Sequence, residues 1–321
     1  MDTLPCREAP ALTAQAFSGD PEKLVRSFMP ELDTLRGIAV LGVLFLHGFE
    51  WKYGGMQFGR PARFFLLVTQ PGWIGVNLFF VLSGFLITGI LLESRNRPHY
   101  YSRFYARRAL RILPPYYSLL ILLGLLGQAS LGFLGLSFIY LSNLTSFFGV
   151  TMDYGPLWSL AVEEHYYILW PTAVRKLKSR SLVIFLIAIS AAIPIFRAIA
   201  FRYDHGHGID WYTWFVADGL AAGSLLAILL RSSIRRNQVV KLCAVLLAAA
   251  LVLGAAGAPF GILTRQRLLG ATFQYTLLNI FLPDFFFFSY SSEQAHENVG
   301  LTGQSCNFSA ISVTEFICFT S

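Results

Sequence analysis

An arginine and a histidine eleven residues apart are the first groups in this chain able to do chemistry. Arg36 stands in Leu32-Asp33-Thr34-Leu35-Arg36-Gly37, and an apolar run carries the chain on to His47. That spacing is close to three helical turns, so on one helix both side chains point the same way, about 16 Å apart. Ionisable groups inside an apolar helix are costly to bury and mark either function or pairing. Two readings compete for Arg36: a functional cation, or one that snorkels to an aqueous edge and pairs with Asp33 at i,i+3. For His47 the choice is between a catalytic base and a satisfied interfacial histidine.

A second cluster reads Phe104-Tyr105-Ala106-Arg107-Arg108-Ala109-Leu110-Arg111-Ile112-Leu113-Pro114. Its cations are all arginine, and the planar guanidinium fork suits phosphate in a way that lysine does not. Arg108 and Arg111 share one helix face at i,i+3, at the mouth of the apolar segment that follows, where a phosphate-bearing cytoplasmic donor would fit. The competing reading is membrane topology plus contact with anionic lipid. A third element is Leu157-Trp158-Ser159-Leu160-Ala161-Val162-Glu163-Glu164-His165-Tyr166-Tyr167, where two carboxylates and a histidine enter an apolar segment. A pair between one of these glutamates and His47 across two helices would orient the imidazole as a base; the alternative is structural glue. Asp218, in Ala217-Asp218-Gly219-Leu220, is read chiefly as the structural partner of an arginine. Four cysteines, Cys6, Cys243, Cys306 and Cys318, show neither CxxC pairing nor metal-ligand spacing, so neither a metal site nor a disulfide framework is expected.

The elements that must hold these groups are membrane helices. Of 321 residues, 55% are hydrophobic and only 13% charged, against about 25% charged in a soluble domain. Apolar stretches run 32–49, 72–92, 112–130, 131–150, 157–174, 181–200, 211–230, 239–258 and 268–288, most of them long enough for a bilayer core of roughly 30 Å. The net charge of +7 gathers between those stretches, which fits membrane orientation and argues against nucleic acid as a partner. The connections 94–111, 175–180 and 231–241 hold the Arg and Lys and are expected to be cytoplasmic. An even number of crossings must then separate them, which leaves 131–150 as one segment too many. That stretch contains Gly132, Gly135, Asn143 and Gly149 and no basic residue. The expectation is an all-α polytopic transmembrane helix bundle of about eight spans, or nine if 131–150 crosses, with that segment otherwise re-entrant or extracytoplasmic. Both termini would be cytoplasmic. Residues 1–31 form a polar segment, 32–288 the membrane domain and 289–321 a polar tail.

Taken together, the motifs resemble the acyltransferase 3 family of multi-pass membrane acyltransferases. The likeness rests on LDTLRG from Leu32, His47 in the first helix, NLFFVLSGFLIT from Asn77, FYARRALRILP from Phe104, WSLAVEEHYY from Trp158, and the Thr213–Gly223 stretch containing ADGL. It covers roughly residues 30–230. The resemblance implies transfer of an acyl group, often acetyl, from cytoplasmic acyl-coenzyme A to a carbohydrate or other glycoside hydroxyl outside the cell membrane. The family's functional residues fall on Arg36, His47 and Glu163 for catalysis and on Arg108 and Arg111 for the donor. Family members usually close with further helices and an SYxxYLxH-like motif that has no counterpart here. From Leu268 to Ser321 there is neither Lys nor Arg, and the expectation is a frameshifted or truncated C-terminus. The competing class is a secondary transporter or flippase, which would show paired halves with helices broken near the midplane; no such internal symmetry is visible.

Overall fold

The computed structural model describes residues 30–50, 59, 61, 64–65, 69–204, 208–232, 234 and 236–283. The expectations for residues 1–29, for Cys6, Cys306 and Cys318, and for the tail lie outside these. Among the described residues every regular element is helical: α1 (Pro30–Phe45), α2 (Ile74–Ser94), α3 (Tyr100–Leu125), α4 (Leu131–Phe138), α5 (Leu157–Lys176), α6 (Ser179–Asp204), α7 (Asp218–Leu229) and α8 (Arg236–Gly257). A further helix, α9, spans Leu268–Pro283. Among the described residues, three helical stretches are long and apolar enough to cross a bilayer by themselves: Pro71–Ser94, Ser179–Asp204 and Asn237–Phe260.

The surface says what solvent the bundle meets. Ile184, Phe185, Ile187, Ile195, Phe196 and Ile199 stand exposed along α6, and Val245, Leu251, Val252 and Leu253 along α8. Apolar faces of that extent are untenable in water and natural against lipid tails. By contrast α2 is sheathed in protein, with Phe80, Val81, Leu82, Phe85, Ile87 and Leu91 all buried.

Residues 131–150 do not form a spanning helix. Their apolar run breaks into the eight-residue α4, a turn at Tyr140 with φ 58°, and a 3-10 stretch Ser142–Phe148. Eight helical residues rise only about 12 Å. Ser130 caps α4 by accepting from the Phe133 amide, and its amide and hydroxyl both donate to Asp153. Those donors, with the Thr151 hydroxyl, hold the Asp153 carboxyl below its usual range.

Two expected boundaries move. The third helix starts at Tyr100, not at Ile112, because the Tyr/Phe/Arg stretch before the apolar core is itself helical and hydropathy is blind to it. The expected span 211–230 breaks at Ala217 into a turn Thr213–Val216 and the twelve-residue α7.

Small residues let α2 approach its neighbours. A Cβ at Gly84 would land on the Leu220 carbonyl of α7, and one at Gly223 on the Val81 carbonyl of α2. Ser224 completes this crossing: its hydroxyl donates to the Leu220 carbonyl at 2.6 Å and lies 3.4 Å from that of Gly84. Backbone has no rotamer with which to yield. Gly223→Ala is therefore expected to destabilise the folded chain by about 1–3 kcal/mol through overpacking. Thermal unfolding in detergent, compared with Gly254→Ala, where a Cβ meets open space, would check this.

Candidate active site

The site is organised around Glu163 in α5. Its Oε1 accepts from the Ser83 hydroxyl of α2 at 2.8 Å, and its Oε2 accepts from the Tyr167 hydroxyl one turn along at 2.6 Å. The positive charges that bear on it are Arg108 and Arg36. Arg108, half-buried in α3, lays its guanidinium over the Tyr167 ring, 3.2 Å from the centroid, with Phe104 on another side at 5.7 Å. Its Nε is buried with no hydrogen-bond partner among the described residues. A guanidinium stacked on a ring face is fixed in plane while its edge stays available to another partner. Arg111 stands exposed one turn further.

Pro171 explains why α3 docks here. Lacking an N–H, it leaves the Tyr167 carbonyl without its helical donor. The Tyr105 hydroxyl supplies the missing bond, donating to the carbonyls of Tyr167 at 3.3 Å and Ile168 at 3.1 Å, and the Tyr100 hydroxyl donates to the Pro171 carbonyl at 3.0 Å. The tyrosines that precede the arginines thus fasten their helix to α5, and Arg108 is delivered to Tyr167 as a consequence.

Beside this lies a chain of hydrogen bonds whose direction can be worked out. The Trp170 indole N–H donates to Thr88 Oγ1 at 2.8 Å, Thr88 meets the Tyr166 hydroxyl at 3.0 Å, and Tyr166 meets Ser224 at 2.8 Å. Because Ser224 spends its one proton on the Leu220 carbonyl, it accepts from Tyr166, which in turn accepts from Thr88. Three helices, α2, α5 and α7, are tied by it.

His47 sits elsewhere, in a π-helical turn Leu46–Glu50 that ends the first helix. Its Nδ1 lies 2.8 Å from the Val43 carbonyl. A carbonyl can only accept, so Nδ1 carries the proton and Nε2 of the neutral ring is the atom able to take one up. Such π turns recur at functional sites.

The expected Glu163–His47 pair does not form: the carboxylate's two hydrogen bonds go to Ser83 and Tyr167. The geometry of α1 and α2 gives the reason. Leu46, beside His47, packs on Gly72, just ahead of α2, whereas Ser83 lies eleven residues on, about 16 Å down the axis. Arg36 lies the same distance back along α1. Arg36, Ser83, Glu163, Tyr167 and Arg108 therefore occupy one layer, and His47 another. Crossing parity bears on which end a helix enters from, but not on how deep its seventh residue lies.

The other sequence candidates find structural partners. His165 meets the Thr213 hydroxyl through Nδ1 at 2.8 Å. Asp218 pairs with an arginine that sequence reasoning passed over: Arg197 of α6, fully buried, whose Nη2 donates to Oδ1 at 2.7 Å. Arg197 also donates to the Phe215 carbonyl and the Thr276 hydroxyl, and Thr276 donates to Asp218 Oδ2. An arginine inside an apolar run was the signal that marked it. Towards the His47 end, Arg265 covers the Trp73 ring at 3.9 Å and approaches Asp210 at 3.6 Å, while the Tyr275 hydroxyl donates to Asp210 at 2.6 Å.

Comparison with known proteins gives a consistent result. The acyltransferase domain matches residues 29–299. The chain is 35% identical over 167 residues to peptidoglycan O-acetyltransferase OatA of Listeria monocytogenes, which covers 46% of this chain and 24% of that protein. It is 36% identical over 164 residues to the putative peptidoglycan O-acetyltransferase YrhL of Bacillus subtilis, covering 45% and 23%. A putative O-acetyltransferase of Staphylococcus aureus, SAS0844, is 31% identical over 166 residues, covering 45% and 24%. The chain thus spans about a quarter of the length of these relatives. No solved structure matches it.

Proposed function

The chain belongs to the acyltransferase 3 family, and from that membership we propose that it moves an acetyl group from cytoplasmic acetyl-coenzyme A to a hydroxyl of a cell-surface polysaccharide or other glycoside, peptidoglycan being the first acceptor to test. The single observation that carries the mechanism is the division of the polar groups into two layers about 16 Å apart. The arginine layer receives the donor's phosphates: Arg108, planar on Tyr167, and the exposed Arg111 offer the forks. Arg36 and Glu163 line the way inward, Glu163 held in place by two hydroxyl donors. The long pantetheine arm then spans the interval and brings the thioester to His47.

At His47 the step balances simply. Nε2 takes the proton of the acceptor hydroxyl as its oxygen attacks the thioester carbonyl. The carbon–sulfur bond breaks, the coenzyme leaves as thiolate, and that sulfur recovers the proton from the imidazolium. Topologically the reading uses about eight crossings, with the arginine layer cytoplasmic, His47 on the outer side, the protein in the cell membrane and both termini inside. The relatives' names, which specify O-acetylation and in two cases peptidoglycan, support the acceptor class.

The test is direct. Proteoliposomes carrying the chain receive acetyl-labelled acetyl-coenzyme A on one face and soluble peptidoglycan fragments on the other. Label recovered as an alkali-labile ester on the glycan is the expected result. Label that never reaches glycan, whatever the orientation, overturns the reading and returns the transporter class to consideration.

A further inference from the structure

The non-spanning segment after α3 carries a concentration of polar groups that packing does not explain. Tyr140, held at φ 58° and stacked on Tyr116 at 4.4 Å, buries its hydroxyl with no partner among the described residues. Asn143 is fully buried; its amide nitrogen donates to the Trp211 carbonyl at 3.3 Å and to Thr213 at 2.9 Å, but its Oδ1 has no partner among the described residues. The hydroxyl of Thr145, equally buried, has none there either. Facing this turn, Glu164 of α5 makes no hydrogen bond to another described residue; its electrostatic neighbours are Arg108, Glu163 and the tyrosines 116 and 140. His165 meets Thr213 through Nδ1, and its ring also lies against the Tyr140 backbone.

Buried polar groups are ordinarily matched within the protein, and several unmatched ones in one place point to a ligand that matches them. The chemistry on offer is specific. A carboxylate and an amide oxygen accept, two hydroxyls both donate and accept, and an aromatic pair lies alongside. A polyol satisfies that set; an apolar molecule or an anion does not. The place is also right. Asp210, next to Trp211 in the chain, is bound by Tyr275, whose ring packs at 5.6 Å on Trp73. Gly72, its neighbour, meets Leu46 beside His47. The Trp211–Thr213 side of the cluster therefore lies towards His47, while Glu164, next to Glu163 in α5, lies at the arginine layer.

We propose that Tyr140, Asn143 and Thr145 of the non-spanning segment, with Glu164, form a saccharide subsite that presents the acceptor hydroxyl to the His47 side of the membrane. It rests on the acyl-transfer reading only for the identity of the sugar as acceptor. Thr213 and His165 are positioning residues, fixing Asn143 and the Tyr140 turn.

Binding and transfer are measured separately on the full chain in nanodiscs. Saturation-transfer NMR with the N-acetylglucosamine–N-acetylmuramic acid disaccharide, and with a neutral hexose oligomer, reads binding without turnover. The wild type is expected to give a saturable signal with one of them, lost in Asn143→Leu and Glu164→Gln. In the transfer assay, those variants raise the acceptor KM about tenfold or more while the KM for acetyl-coenzyme A stays unchanged. Thr145→Val, which keeps shape and removes only the hydroxyl, guards against a folding artefact by producing the same selective rise. No signal from the wild type with either sugar, as when the groups hold ordered water only, overturns the subsite, as does equal binding by the variants. Binding that persists without transfer overturns the acyl-transfer reading and leaves the subsite standing.

Discussion

Replacing His47 by alanine is expected to lower acyl transfer by about 10²- to 10⁴-fold, the range associated with loss of a positioned general base. The reason lies in the ring's tautomer. With Nδ1 committed to the Val43 carbonyl, Nε2 is preset as the acceptor, and no described hydrogen bond of Glu163 reaches it. A carboxylate partner is therefore unnecessary for orientation. Glu163→Gln should also reduce transfer, but through the donor side, raising the KM for acetyl-coenzyme A instead of abolishing proton abstraction. Thermal stabilities separate the two layers. Sites more than about 10 Å apart with no shared partner add to within ~0.5 kcal/mol, so the double variant should show the sum of the single effects. Wild-type glycan acetylation by His47→Ala removes the base from the mechanism, and a coupling well above that limit restores the direct pair.

The second large effect concerns stability. Asp218→Ala leaves Arg197 fully buried beside the Phe215 carbonyl and Thr276, its counter-charge gone. Breaking a buried pair from one side costs about 3–5 kcal/mol, whereas replacing both partners by apolar residues of similar size is often neutral. Asp218→Ala should therefore lower the thermal midpoint by roughly 10 °C, and Arg197→Met with Asp218→Leu should recover most of it. Full recovery with normal acetyl transfer marks the pair as a fastener joining α6, α7 and α9. Recovered stability with lost transfer assigns it a part in the chemistry as well.

Much of this was legible in the sequence, because the membrane imposes hard rules. An apolar run interrupted by Gly132, Gly135, Asn143 and Gly149 and holding no basic residue pointed to a segment that does not cross, and the structure breaks 131–150 at Tyr140. An aspartate inside a span required a cation, and Arg197 supplies it, although the sequence reading had not singled that arginine out. What stayed hidden was depth. Charge counts give an expected end for α5 to enter from, but Glu163 is placed by its meeting with Ser83, and neither residue signals the other locally. Hydropathy likewise hid the first turns of α3, where tyrosines attach to carbonyls exposed by a proline on another helix. The unmatched groups around Asn143 lie on two separate stretches of chain, 140–145 and Glu164 of α5, so only folding brings them into view.

The hydrogen-bond series from Trp170 to Leu220 has an electrical consequence. An indole N–H does not release its proton at ordinary pH, and an amide carbonyl cannot pass one on. A series that begins on the first and ends on the second holds protons without conducting them. Any protein that spans a membrane must do so without short-circuiting the transmembrane proton gradient. The hydroxyls that tie α2, α5 and α7 together meet that demand as an insulator: polar enough to bind three helices in lipid, and closed at both ends to charge.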